Sequence, residues 1–260
     1  GEACLNARRV VSVVGTRRCT RYGQDLIHSF VHRLKELCPE MLVVSGLAYG
    51  VDIWAHRECL ANETPTVGVL AHGLDDLYPR AHRETANRMV AEGGALLTEF
   101  MTHTTADKIN FVRRNRIVAG MSDAVVLVES ADKGGGLITC GIARDYARDV
   151  FAFPGSAGQE GSEGPLQIIR EGATLIRDAA DILADMGWED AASAPKVMES
   201  LPPLDPDQRT VLSLLTVEEL SFDQLTFKTG LDAPKLNAAL TLLELSGLIM
   251  QSPGRIYRKA

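Results

Sequence analysis

"RVVSVVGTRR", residues 9–18, runs from β-branched apolar residues into a glycine and two arginines. Strict alternation of polar and apolar residues is absent, so a strand here buries both faces, the condition met in parallel sheets. Gly15 lets the backbone approach a ligand closely where the strand ends, and Arg17 and Arg18 stand just before a helix begins. Backbone amides and guanidinium groups together make an anion site. The helix is legible in "YGQDLIHSFVHRLKEL" (22–37), where Leu26, Ile27, Phe30, Val31 and Leu34 form an apolar stripe at steps of three and four.

The same unit recurs along the chain. Apolar runs at 41–46, 66–73, 95–100, 124–129, 150–155 and 173–176 alternate with helix-forming stretches. Such alternation implies parallel crossovers and an α/β fold, a doubly wound, mostly parallel sheet. In these sheets ligands bind beyond the carboxyl ends of the strands, which selects the loops to read. "SGLAYGVDIWAH" (45–56) sets Ser45 and Gly46 at a second strand end. Asp52 and His56, four apart, share a helix face there and are expected to form a structural hydrogen-bonded pair. "KGGGLITC" (133–140) is a third glycine-rich turn, either a nest of converging amides or simply a tight bend. None of the three is a GxGxxG or Walker A motif.

Composition bounds what such a chain does. The sequence has 260 residues, 45% hydrophobic, and a formal net charge of -7, which describes a globular protein of two domains. No run approaches the roughly 18–20 apolar residues of a spanning helix, and the start of the sequence lacks a secretory signal layout, so a cytoplasmic location without membrane insertion is expected. The 5 cysteines form no CxxC pair and read as reduced, mostly buried thiols. The 6 histidines show no HExxH, and His28 with His32 reads as a surface pair. No metal or cofactor is expected, and without GxSxG no hydrolase elbow either. Net negative charge argues against nucleic-acid binding over the whole surface but not against a local basic groove.

"INFVRRNRIVAG" (109–120) supplies that groove. Read as a helix over 111–121, it places Arg113 and Arg116 on one side, Arg114 and Asn115 elsewhere, and Ile117 and Val118 against the sheet, with Lys108 and Phe111 just ahead of it. Cations this dense repel one another unless Glu99 or Glu129 pairs with them or a polyanion relieves them. Single-stranded nucleic acid fits best, because its binders combine cations along the backbone with an aromatic platform for the bases. Phe111 is the platform.

Further on, residues 188–205 are rich in Ala, Ser and Pro and read as a linker between a domain at 1–187 and a smaller one at 206–260. The latter reads as three helices and a hairpin around Pro253 and Gly254, a winged-helix-like module, with Asp232 capping its third helix and Gly247 ending it. That third helix offers Lys235 against Glu244, too little for a reader of duplex base edges, and a protein-contact role is expected.

The ordered series "VVGTR", "SGLAYGVD", "GLDDLYP" (73–79), "LLTEF", "FVRRNRIVAG", "GGGLIT", "FAFPG" and "GPLQIIREGA" (164–173) resembles the DNA-processing protein A family, also called DprA or Smf. The resemblance covers residues 9–187 and implies an extended Rossmann-like domain that binds single-stranded DNA without sequence preference. It implies a non-enzymatic, homodimeric mediator that loads RecA recombinase onto incoming strands during natural transformation. Carried over by position, it implies DNA contacts from Arg17, from Lys108 to phosphate, from Phe111 to a base, and from Arg114, Asn115 and Arg116. Gly15, Ser45, Gly46, Gly134, Gly135 and Gly136 shape the floor. Many relatives have Ser-Gly-Ser at 134–136, and most begin with a small helical domain, so the start "GEACLNARR" is read as trimmed. The competing readings are a Rossmann-like nucleotide hydrolase using Glu99 and a duplex-DNA-binding regulator.

Overall fold

A computed structural model of the chain describes residues 1–188, 204–216, 219–245, 248–252 and 254–259. They form two compact units, one within 1–193 and one within 194–260.

The first unit alternates strands and helices throughout: β1 (Val10–Val14), α1 (Arg21–Leu37), β2 (Leu42–Ser45), α2 (Val51–Ala61), β3 (Thr66–Val69), α3 (Arg83–Ala91) and β4 (Ala95–Leu97), then α4 (Lys108–Met121), β5 (Ala124–Leu127), α5 (Gly135–Asp145), β6 (Asp149–Ala152), α6 (Glu163–Arg170), β7 (Thr174–Leu175) and α7 (Ala179–Asp185). All seven expected strands are present, in the order β4-β3-β2-β1-β5-β6-β7, and every pairing is parallel. Each strand stops short of its apolar run at the carboxyl end, where the chain leaves the ladder to build the loops of the site. After β4 the chain returns to the far side of β1, so the winding reverses between β1 and β5. This is the switch point at which open α/β sheets hold ligands.

Alternate residues of one strand serve the two faces. Val11 and Val13 pack with Ile27, Phe30 and Leu34 of α1 and Ile182 of α7. Val10 and Val14 pack with Val118 of α4, Cys140 and Ala143 of α5 and Ile168 of α6. Both faces are therefore buried, as the missing polar alternation requires. Phe30 meets Phe153 edge-on at 5.7 Å, a contact whose loss on truncation to Ala costs about 3–5 kcal/mol.

The second unit is a winged helix. Its elements are α8 (Pro206–Leu215), β8 (Leu220–Ser221), α9 (Phe222–Thr229), α10 (Ala233–Leu245), β9 (Ile249–Ser252) and β10 (Ile256–Lys259), with the antiparallel order β8-β10-β9. Capping boxes start two of the helices, Asp205 with Gln208 and Ser221 with Gln224. The Asp232 carboxylate accepts from the Lys235 amide at 3.0 Å, as expected of a cap. Val211, Leu225, Leu236, Leu240, Ile249 and Tyr257 share the core. Strand β8 is the element sequence reading missed, since two residues carry no periodicity. The linker other than Trp188, Leu204 and Asp205, together with Gly247 and Pro253, lies outside the described residues.

Candidate nucleic-acid interface

The carboxyl ends of β1 to β5 open on one cavity of about 810 Å³. The β1 loop contributes Gly15, Arg17 and Arg18, the β2 loop Gly46 and Tyr49, and the β3 loop Tyr78. Lys108, Phe111, Arg114 and Asn115 enter from α4, and Lys133 with Gly134, Gly135 and Gly136 from the segment after β5. Glycine is required where the β1 and β5 segments abut: a Cβ on Gly136 would stand 3.0 Å from the Gly15 Cα. No side chain caps α5, and in its first turn the Leu137 amide donates to the Gly134 carbonyl at 3.1 Å.

Two expectations for "INFVRRNRIVAG" need correction. Helix α4 begins at Lys108, not at 111, because the Asp107 carboxylate caps it by accepting from the Asn110 amide at 2.7 Å. Lys108 and Phe111 thus stand on its first turn. A cation at that end opposes the helix dipole, so an anion arriving there is favoured twice. Arg114 stands four residues from both Asn110 and Val118 and so shares their buried face, turned inward. Arg114 is 4% exposed; its Nη1 donates to the Val69 carbonyl, and its Nε finds no partner among the described residues. The guanidinium lies against Gly46, where a Cβ would overlap it. Arg114 is therefore part of the cavity wall, fixed from behind.

Arg116 is neutralised by Glu99 and does not line the cavity. Ser45 does not reach it either: buried, its Oγ donates to the Val13 carbonyl at 2.7 Å and ties β2 to β1. Glu129 pairs with no arginine among the described residues. It accepts from the Thr20 amide and hydroxyl at 2.8 and 2.5 Å, and so anchors the end of the Arg17 loop to β5. What remains exposed on the cavity is Arg17, Arg18, Lys108 and Lys133, none of which joins an ion pair among the described residues.

Phe111 is only partly buried, and its ring is attended closely. The Arg17 Cζ lies 4.8 Å from the ring centroid, the Arg114 Cζ 5.9 Å, and the Tyr78 ring 5.9 Å away at a tilt of 58°. Cation–π contact of this kind holds the Arg17 side chain over the site.

Asp52 and His56 share a helix face but are not bonded to each other. The Asp52 carboxylate accepts from the Ala48 amide at 3.3 Å; burial pushes its pKa up, and the Arg114 charge opposes this. Burial likewise lowers the Arg114 pKa, with Asp52 acting against it. The His56 Nδ1 meets the Thr66 hydroxyl on β3 at 2.7 Å, and burial, with Arg114 nearby, depresses its pKa to about 3. His72 and His82 are buried too, each bonded to backbone. His28 and His32 lie on the surface, stacked with centroids 6.5 Å apart.

Sequence reading missed Tyr49, Tyr78 and Lys133 as parts of the cavity. All three stand inside stretches it quoted, but only the strand order brings them together.

Fold and site define a class: a Rossmann-like α/β protein with a cation-lined cavity at its switch point, carrying a winged helix in the same chain. The chain belongs to the DNA recombination-mediator protein A family, which residues 1–187 match, and residues 193–255 match the DprA winged helix domain. It is similar to protein Smf of Escherichia coli K12, 34% identical over 257 residues, which are 95% of this chain and 67% of that protein. DNA processing protein DprA of Bacillus subtilis is 37% identical over 183 residues, 70% of this chain and 60% of that one. Among solved structures, DprA from Streptococcus pneumoniae superposes with a TM-score of 0.64 at 36% identity, covering 70% of this chain and 62% of its own. DNA processing protein A from Helicobacter pylori, whose single-stranded DNA binding mode is described, gives 0.63 at 26% identity, covering 71% and 83%. No helix among the described residues is long and apolar enough to cross a membrane.

Proposed function

We propose that the chain binds single-stranded DNA without sequence preference and hands the strand to a RecA-type recombinase during natural transformation, as a cytoplasmic homodimer that catalyses no reaction. The observation that carries this reading is the set of four unpaired cations beside an aromatic ring in one cavity at the switch point. Arg17, Arg18, Lys108 and Lys133 meet phosphates, Phe111 and the Arg17 guanidinium plane offer stacking surfaces, Gly15 and the Gly134–Gly136 turn let the backbone come close, and Gly46 makes room for the Arg114 guanidinium. Arg114 and Asn115 complete the wall. Family membership and the H. pylori relative support the same ligand.

The hydrolase reading is the weaker one on chemical grounds. The carboxylates lining the cavity are Asp52, held by an amide, and Asp107, engaged as a helix cap, while Glu99 is tied to Arg116. A general base needs a carboxylate free to take a proton.

Binding of single-stranded and duplex DNA by the wild type and by Arg17→Ala, Lys108→Ala and Phe111→Ala tests the proposal. Preference for the single strand is expected, each substitution costing about 1–3 kcal/mol. Wild-type affinity in all three variants would refute the site. Recombinase filament growth on strands coated with single-strand-binding protein tests the hand-off, which fails if the protein leaves filament formation unchanged.

A further inference from the structure

Strand order divides the cavity wall by chemistry. Arg17, Arg18 and Lys133 arrive on the segments following β1 and β5, while Tyr49 and Tyr78 arrive on those following β2 and β3. Three of the four exposed cations thus stand on the β1–β5 side and two of the three rings on the β2–β3 side, with Lys108 and Phe111 on α4, where Phe111 meets Arg17. A polynucleotide strand has the same division, charged backbone along one edge and uncharged planar bases along the other.

The two tyrosines are also the more open rings. Each is 46% exposed, whereas Phe111 is partly buried with Arg17 already over its face. Each is also held by a buried histidine, Tyr49 through its ring and Tyr78 through its backbone amide. The Tyr49 ring meets His82 nearly perpendicularly at 4.9 Å, and His82 is itself held by the Leu47 carbonyl at 2.8 Å. The Tyr78 amide donates to the His72 Nε2 at 3.1 Å, and its ring rests beside Phe111. Half-exposed rings on fixed backbone lose little conformational entropy when a flat ligand settles on them. An apolar face with a free hydroxyl edge suits a nucleobase rather than a phosphate.

We infer that Tyr49 and Tyr78 form a base-stacking subsite on the β2–β3 side of the cavity, taking the uncharged bases of a strand whose phosphates lie over the β1–β5 side. The inference rests on the single-strand reading and deepens it. Bases stack there regardless of identity, since every base has a π-face.

The test compares a short oligothymidylate with an abasic strand of equal length and charge, on wild type and on Tyr49→Leu, Tyr78→Leu and the Tyr→Phe counterparts. Each Leu variant is expected to lose roughly 5- to 150-fold on oligothymidylate, the range one stacked base carries, and to bind the abasic strand like wild type. The Phe variants keep wild-type affinity. Irradiated strands containing 5-iodouracil, bound to wild type, are expected to cross-link to Tyr49 or Tyr78, a readout that needs no variant to fold. Equal losses on both strands, or no loss with cross-links elsewhere, would overturn the subsite while leaving strand binding intact. A wild type that binds neither strand would remove the single-strand reading and the subsite with it.

Discussion

A salt titration of strand binding distinguishes the cations the cavity presents from those the fold has already engaged. Four side chains qualify by geometry: Arg17, Arg18, Lys108 and Lys133 line the cavity, are exposed, and join no ion pair among the described residues. Arg114 is excluded because its charge is buried and bonded to the Val69 carbonyl, and Arg116 because Glu99 neutralises it. If each of the four meets one phosphate, released counterions give a log–log slope of about -2.8 at about 0.7 per contact, or roughly fifty-fold weaker binding from about 50 to 200 mM salt. Lys108→Ala should lower the slope to about -2.1 and the loss to roughly eighteen-fold, whereas Arg116→Ala should leave both unchanged. Fluorescence anisotropy of a labelled oligothymidylate across that salt range measures both numbers. A slope near zero would refute electrostatic capture. An Arg116→Ala slope that falls as far as that of Lys108→Ala would refute the assignment of which cations act.

Other outcomes follow from the packing. In Gly46→Ala the new methyl overlaps the Arg114 guanidinium, so Arg114 must give up the Val69 carbonyl; a loss of about 2–5 kcal/mol is expected. Calorimetry of the first unit should show this as a Tm fall of roughly 5–15 °C, and an unchanged Tm would mean that Arg114 is not pinned. His56, held neutral with its pKa at about 3, contributes stability that is fully present above its unfolded value and is lost as pH falls from there toward 3. Moving from neutral pH to about pH 5 should therefore cost the wild type about 2 kcal/mol that His56→Gln does not lose, measured by denaturant unfolding at both pH values. Asp52, raised by burial, works with the opposite sign in both proteins, so the difference between them isolates His56. Burial pushes the thiols of Cys59 and Cys140 up to about 12, and Cys4 is exposed; a thiol reagent at pH 8 should label Cys4 fast and these two only on unfolding, with the partly buried Cys19 beside Glu129 reacting slowly in the folded protein.

The fold was legible because its signals are local. Val11 and Val13 face one layer and Val10 and Val14 the other, which is what an apolar run without polar alternation encodes. The site was legible only in part. Within the expected helix Arg114 and Val118 stand four apart on one face, so Val118 against the sheet already turns Arg114 inward, and the Asp107 cap adds Asn110 to that stripe. The pairing of Arg116 with Glu99, anticipated as one option, depends on where β4 ends. Tyr49 and Tyr78 carry no signal at all in one dimension: residues 49, 78 and 111 line one cavity because the loops after β2 and β3 and the start of α4 converge on one edge. The fold alone supplies that convergence.

A chain of net charge -7 can still hold a polyanion because the two effects act over different distances. The Debye length at physiological salt is about 8 Å, so acidic groups spread over the remaining surface are largely screened from a strand in the cavity. Cations at hydrogen-bonding distance are not. The acidic remainder instead penalises contacts anywhere else, since a strand lying off the cavity meets unfavourable charge with no compensating amides or rings. Duplex DNA has its bases stacked on one another and turned inward, so it offers phosphates to Arg17 and Lys133 but nothing to the rings of Tyr49 and Tyr78. Preference for the single strand is then expected to come from the rings on the β2–β3 side, and it should weaken when they are removed. In Lys133→Ala both kinds of DNA lose affinity, whereas loss of the rings lowers single-strand affinity alone and brings the two ligands level.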